Sequence, residues 1–596
     1  MWNLLFLISF PFQHPLKVEY ISLRPAKWEE TVLTEEINEK RNLGGLAFIY
    51  YKNISDRPVS LREWYLNHRE SGHYRLSGDV AWDRRYLETL APGETTVQEI
   101  CGVSEDFQIG KPANFSIINQ NWQTILRDSG TFKDEKFRIS SIVFDTSLSS
   151  ATIHIRSLIP TKAKILSVSV ENRRVDKIDL SAAYLEEYGH VVGHLSWHHA
   201  FTAGALCLIR VEAEVDGKKE VFYSHRNAYP DFFPNGTWSI YPMQYSDAQK
   251  HHLNTMVKGG TSKDAYFARE FQEQKFKTMT HTGLYPNIDM IRDLKSHPSV
   301  ACWYIHDEPD WLHHPQVVYT ANSITKAYSL EKPTMITLCR NVKFFEYAFI
   351  PDIPCQDHYS VTAPTSSKWP FVYGTKLEET GFYTRDLKYA SEPKPIWVWT
   401  QGVHLWDERP KMPLPTPDEL GAQLFFNLGQ GAKGNLWFTF QQEAGTRFPK
   451  TKQALQDYSR LIRLIEKDLQ VSDPFHTETK GPEKLDIAPL ISKEQLTIFL
   501  TNLDYQIHDS AYIWKPKEKV SFQLRLPVWF EVKDGFEWQV TSGLKDLNWS
   551  VKEQTLNIAL DELNMGSVLI LSSDADRRKE YQARNHDLIL VETKSP

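Results

Sequence analysis

The sequence predicts a multidomain protein built on a (β/α)8 TIM barrel with N-terminal and C-terminal β-sandwich domains on either side. Three observations lead there. The 596 residues exceed what one hydrophobic core serves, and domains of roughly 100 to 200 residues imply three or four units. Up to about residue 228 the chain consists of short β-branched and aromatic runs broken by turn residues, whereas beyond Pro230 single strands alternate with helical stretches. Strand texture returns after about residue 470.

Residues 1–15 open with an apolar run resembling the core of an export leader. It has no preceding Lys or Arg and no small-residue cleavage site. A periplasmic or secreted location is the expectation. Residues 16–130 and 131–228 read as two successive sandwiches. Gly45-Leu-Ala-Phe-Ile-Tyr-Tyr51 has strand composition, and Asp216-Gly217 after an alternating run is a hairpin signal. The barrel is assigned to 229–470. Its eight candidate strands are 237–241, a weak one at 255–257, 276–281, 301–306, 334–338, 353–359, 396–400 and 435–440. Amphipathic helices fall between them, among them 417–429 with Thr416 as its N-cap. Residues 471–573 form the closing sandwich, and 574–596 a charged surface tail or small appendage.

A formal charge of −7 disfavours nucleic acid as partner, because phosphate binding needs a concentrated basic surface. No stretch is long and apolar enough for a membrane span. The five Cys are scattered, without C-x-x-C or Cys/His spacing, so neither a metal nor another cofactor is expected. An oligosaccharide or glycoconjugate substrate suits this balance. The 18 Trp and 26 Tyr serve sugar stacking and sandwich cores equally well.

The chemistry concentrates in His297-Pro-Ser-Val-Ala-Cys-Trp-Tyr-Ile-His-Asp-Glu-Pro309, an apolar strand that ends in two acids and a proline. Counted along the barrel it is strand four, and barrel enzymes carry their catalytic groups at the C-terminal ends of strands. Pro309 stops the strand, so both carboxylates can turn to the mouth. The competing reading is a helix N-cap pair. This stretch, with Gly431-Ala-Lys-Gly434 before strand eight, resembles barrel-type glycoside hydrolases related to clan A over about residues 230 to 470. The resemblance implies Glu308 as general acid/base. Two departures follow: Asp307 stands where clan A members usually have Asn, and Trp397-Val-Trp-Thr-Gln401 ends strand seven in an amide where the family has its nucleophilic Glu. Hydrolysis by two carboxylates would need another acid, such as Asp357, Asp407, Glu408 or Glu443.

A tandem Asp-Glu resembles the pair of N-acetylhexosaminidases of glycoside hydrolase families 20 and 123, in which the substrate's 2-acetamido oxygen replaces the enzyme nucleophile. That likeness implies that Asp307 orients the acetamido group, that Glu308 protonates the leaving oxygen, and that a Tyr from Gln356-Asp-His-Tyr-Ser360 binds the acetamido carbonyl. Tyr359 is the candidate. Asp357, His281, His306, Gln401, Trp397, Trp399 and Trp437 are the other expected substrate contacts. For the tryptophans, pocket and core are equally compatible with the sequence. The first expectation is an exo-acting β-N-acetylhexosaminidase with substrate-assisted retention, with N-acetylgalactosamine a candidate sugar. A β-galactosidase-like two-carboxylate enzyme and a non-catalytic sugar-binding protein are the alternatives.

Overall fold

In the computed structural model, residues 14–28, 44–66, 69–71, 80–238, 240–258, 264–361, 376–404, 414–508, 511–540 and 543–593 are described. The apolar run at the start, Asp407 and Glu408 lie outside these residues.

Eight parallel strands close into a barrel: β1 (Asn235–Trp238), β2 (Thr255–Lys258), β3 (Lys277–His281), β4 (Val300–Asp307), β5 (Thr334–Leu338), β6 (Ile353–Gln356), β7 (Trp397–Val403) and β8 (Asn435–Phe440). The expected strands map onto these in order, including the weak second one. Side-chain parity divides each strand between two environments. Along β4, Cys302 and Tyr304 point into the barrel with Met279, Met335, Cys355 and Trp399, while Trp303 and Ile305 face the surrounding helices. Trp303 is fixed there by an indole hydrogen bond of 2.9 Å to Ser329 Oγ, at the end of helix Pro315–Tyr328. Helix Pro417–Gly429 starts where Thr416 predicts, with the reciprocal Thr416–Glu419 capping box.

Before the barrel lie two pairs of four-stranded antiparallel sheets. The first pair encloses one cluster that includes Ile49, Tyr51, Trp64 and Phe115, and the second encloses Ile142, Ile153, Leu195 and Val211. The hairpin Leu206–Val215/Lys218–Asn227 turns at Asp216-Gly217, where both residues have positive φ (50° and 73°), as a type I′ turn requires. After the barrel, a six-stranded and a four-stranded antiparallel sheet share a third cluster that includes Leu496, Ile498, Leu500, Phe522 and Leu569.

The charged C-terminal stretch, expected as a surface tail or small appendage, contains the helix Arg577–Thr593, which packs on the barrel's last helix, Pro449–Val471. Its charges are used at that contact: Glu592 pairs with Arg460 and His252, and Tyr581, fully buried, donates to Asp468. Composition alone reads such a segment as solvated, because only Tyr581 of the helix is buried.

Candidate active site

The end of β4 is irregular in a way that aims its acids. Its pairing with β5 slips between Tyr304 and His306, and the chain then reverses at Glu308, whose φ and ψ are 47° and 49°. Pro309 opens the short helix Pro309–Leu312, and Glu308 occupies that helix's N-cap position without a capping hydrogen bond from its side chain. The N-cap reading therefore does not account for Glu308. Asp310 holds the turn in place. Its buried carboxyl accepts from the backbone N–H groups of Cys339 (3.0 Å) and Arg340 (2.8 Å) just past β5. Burial raises its pKa to about 7 against the opposing effect of these hydrogen bonds.

Asp307 and Glu308 both reach the mouth, with different partners. The Tyr304 hydroxyl donates to Asp307 Oδ1 at 2.5 Å and lies 2.8 Å from Thr337 Oγ1, which also accepts from Trp399 Nε1 at 3.1 Å. Since a phenol has one proton, Thr337 supplies the hydrogen in its contact with Tyr304, and a chain runs from Trp399 through Thr337 and Tyr304 to Asp307. Glu308 instead faces Asp357, the residue after β6. Ligand atoms of Glu308, Asp357 and Cys339 lie within 4.8 Å of one another. Burial, and then the Asp307 charge, push the Glu308 carboxyl above the ordinary glutamate range, while the hydrogen bond from Asp357 works the other way. Burial, Glu308 and Asp307 push Asp357 well above the ordinary aspartate range. The groups that act most strongly on Asp357 are Glu308, Asp307 and Asp310, all acids.

The other expected contacts separate into two groups. Tyr359 stacks on Phe438 (5.6 Å, 17°) beside the acids, whose charges, after burial, raise its hydroxyl's pKa. His281 lies edge-on to Tyr304 and His306 donates from Nδ1 to the Asp307 carbonyl, so both rings border the acid pair. Burial lowers the pKa of each. Trp399 forms the floor below them, packed against Trp238 and Phe438. Asp357 is only 7% exposed and lies beside Glu308, not open to solvent like Asp307.

Three expectations need correction. Trp437 faces the helix side, bonded to Asn235 and Ser459 and fully buried, because Leu436 takes the inward position of β8. Trp397 opens β7, at the strand's N-terminal end and therefore opposite the mouth, where it packs against Phe232. Gln401 is inward but spent: its amide accepts from Val361 N (2.9 Å) and donates to Val361 O (3.0 Å), which pins the chain beyond Tyr359. Tyr304, Thr337, Cys339 and Asp310 belong to the site and do not stand out from sequence. Period-two alternation along β4 is the available signal for Tyr304, since it shares a face with Cys302.

Among the described residues, two groups of side chains have metal-like spacing. Binding an ion at Glu308, Cys339 and Asp357 would require removing protons that burial holds on Cys339 and Asp357. In the other group, His154 Nε2 donates to Val471 O and its Nδ1 faces His190 Nε2, which occupies both His154 nitrogens.

No protein-family model matches the chain, and neither does any curated protein. Among solved structures, the β-glucuronidase of an uncultured Clostridium sp. is 13% identical over 77% of this chain and 100% of its own, with a TM-score of 0.29. α-L-Fucosidase isoenzyme 2 from Paenibacillus thiaminolyticus is 7% identical over 56% and 97%, with a TM-score of 0.38. A putative β-galactosidase from Bacteroides fragilis is 9% identical over 92% and 94%, with a TM-score of 0.29. Likeness this distant carries no weight on the reaction.

Proposed function

We propose that the chain is a glycoside hydrolase, an exo-acting β-N-acetylhexosaminidase that retains configuration through its substrate's own acetamido group. The paired sheets are read as β-sandwiches at 16–130, 131–228 and 471–573 framing a catalytic barrel at 229–470. The observation that carries the proposal is the unequal state of the acids at the mouth. Asp307 is exposed and held by Tyr304, whereas Glu308 is half-buried, raised in pKa and set beside the buried carboxyl of Asp357. Burial and the Asp307 charge thereby favour the protonated form of one acid beside another that is solvated, the division of labour that acid-assisted glycoside cleavage needs.

In this reading Glu308 protonates the glycosidic oxygen as the C1–O bond breaks, and the acetamido carbonyl oxygen closes on C1 from the other face. Asp307 accepts a hydrogen bond from the acetamido N–H and stabilises the positive charge of the cyclic intermediate, while Tyr359 donates to its oxygen. Water then opens the ring and returns a proton to Glu308. Support for substrate assistance comes from what stands where a nucleophilic carboxylate would be needed, among the described residues. Gln401 is an amide engaged with Val361, Glu443 is exposed on helix Gln442–Arg447, and Asp357 is buried beside Glu308.

Glu308→Gln tests the reading. The variant should lose roughly 10²- to 10⁴-fold in kcat on glycosides with poor leaving groups and much less on an activated aryl glycoside. Parental rates on both substrates would refute it.

A further inference from the structure

Ligand oxygens of Glu308 and Asp357 lie within 4.8 Å of each other, and since two carboxylates are both acceptors, a hydrogen bond between them requires a proton on at least one of the pair. Which partner holds it follows from burial. Asp357 is 7% exposed and its Oδ1 is buried without a hydrogen-bond partner, whereas Glu308 opens on the mouth. An unpartnered oxygen on a neutral acid is far less costly than one on a buried carboxylate. The groups facing Asp357 reinforce this. Those that act on it most strongly are Glu308, Asp307 and Asp310 from β4 and its turn, all acids, with Cys339 beyond β5 and Cys355 and Tyr359 on its own segment also coupled to it.

We propose that Asp357 stays protonated throughout turnover as a fixed hydrogen-bond donor to one oxygen of Glu308, leaving the other oxygen of Glu308 to face the glycosidic bond. Asp357 is thus a positioning residue, neither nucleophile nor base. The inference rests on Glu308 being the acid. Proton balance is simple. Glu308 gives its proton to the leaving oxygen in the first step and takes one from water in the second, while the Asp357 proton remains in place and supports the Glu308 carboxylate between them.

The test compares Asp357→Asn, which keeps a donor, with Asp357→Ala, which does not, using pH profiles of kcat/KM on an aryl 2-acetamido glycoside. Asp357→Asn should fall less than about tenfold, and Asp357→Ala by roughly 10- to 100-fold, the size of a hydrogen bond to an ionised group. Loss of a neutral donor destabilises the Glu308 carboxylate, so the alkaline limb of Asp357→Ala should move to higher pH. Removal of a charge would instead move it lower. Equal losses in the two variants, a limb shifted downward, or a glycosyl azide formed by Asp357→Ala with azide would each overturn the proposal. If Asp357→Ala does not fold, the infrared difference between the parent and Asp357→Asn at neutral pH decides. A protonated-carboxyl band present only in the parent supports the proposal, and its absence overturns it. An inactive Glu308→Gln combined with a failed Asp357 test defeats this inference alone, whereas a fully active Glu308→Gln defeats the reading beneath it.

Discussion

Tyr304→Phe removes one oxygen atom from the core of the barrel and separates the role of Asp307 from its mere presence. The hydroxyl lies 2.5 Å from Asp307 Oδ1 and 2.8 Å from Thr337 Oγ1, and Tyr304 is fully buried, so no water replaces it without rearrangement. A hydrogen bond to an ionised group contributes about 1.5 to 3 kcal/mol. If Asp307 must be aligned on the acetamido N–H in the transition state, kcat/KM falls roughly 10- to 150-fold. The assay is steady-state hydrolysis of an aryl 2-acetamido glycoside by the parent, Tyr304→Phe, Asp307→Asn and the double variant, each checked for its melting temperature. Because Tyr304 acts through Asp307, the double variant should be little worse than Asp307→Asn alone. Additive losses, or a Tyr304→Phe enzyme as active as the parent, would refute the reasoning.

Two further outcomes follow from the same geometry. Since Glu308 is raised above the ordinary glutamate range and must be protonated to act, kcat/KM should hold to a pH above that range and fall as Glu308 ionises, which a pH–rate profile measures. At the end of β7 a Cβ on Gly402 would lie 2.2 Å from the Thr439 carbonyl oxygen, so Gly402→Ala should push β7 from β8, lowering both the melting temperature and kcat; an unchanged melting curve would count against the packing described.

The barrel is legible in the sequence because its strands are short, apolar and separated by helices with clear caps, as at Thr416, and because the acid pair follows an apolar strand cut by Pro309. What the sequence does not convey is which way side chains face. In β8, Asn435-Leu-Trp-Phe-Thr-Phe440 is apolar at successive positions, so its period-two signal is weak and only register places Trp437 outside. Partnership across strands is similarly hidden. Asp357 and Glu308 are 49 positions apart in the chain, and their contact arises only when β4 and β6 converge at the mouth. The charged terminal helix escapes a sequence reading for a related reason, because its docking rests on pairs such as Arg460–Glu592 whose partners lie far apart in the chain.

The most direct test of the central claim is the rate ratio between two matched chromogenic β-glycosides that differ only at C2, one bearing an acetamido group and the other a hydroxyl. With the acetamido oxygen as nucleophile, whose effective molarity in well-oriented systems reaches about 10⁵ to 10⁸ M, the first should be hydrolysed and the second should be almost inert. Equal rates on the two substrates would contradict substrate assistance and leave Asp307 without the role proposed for it.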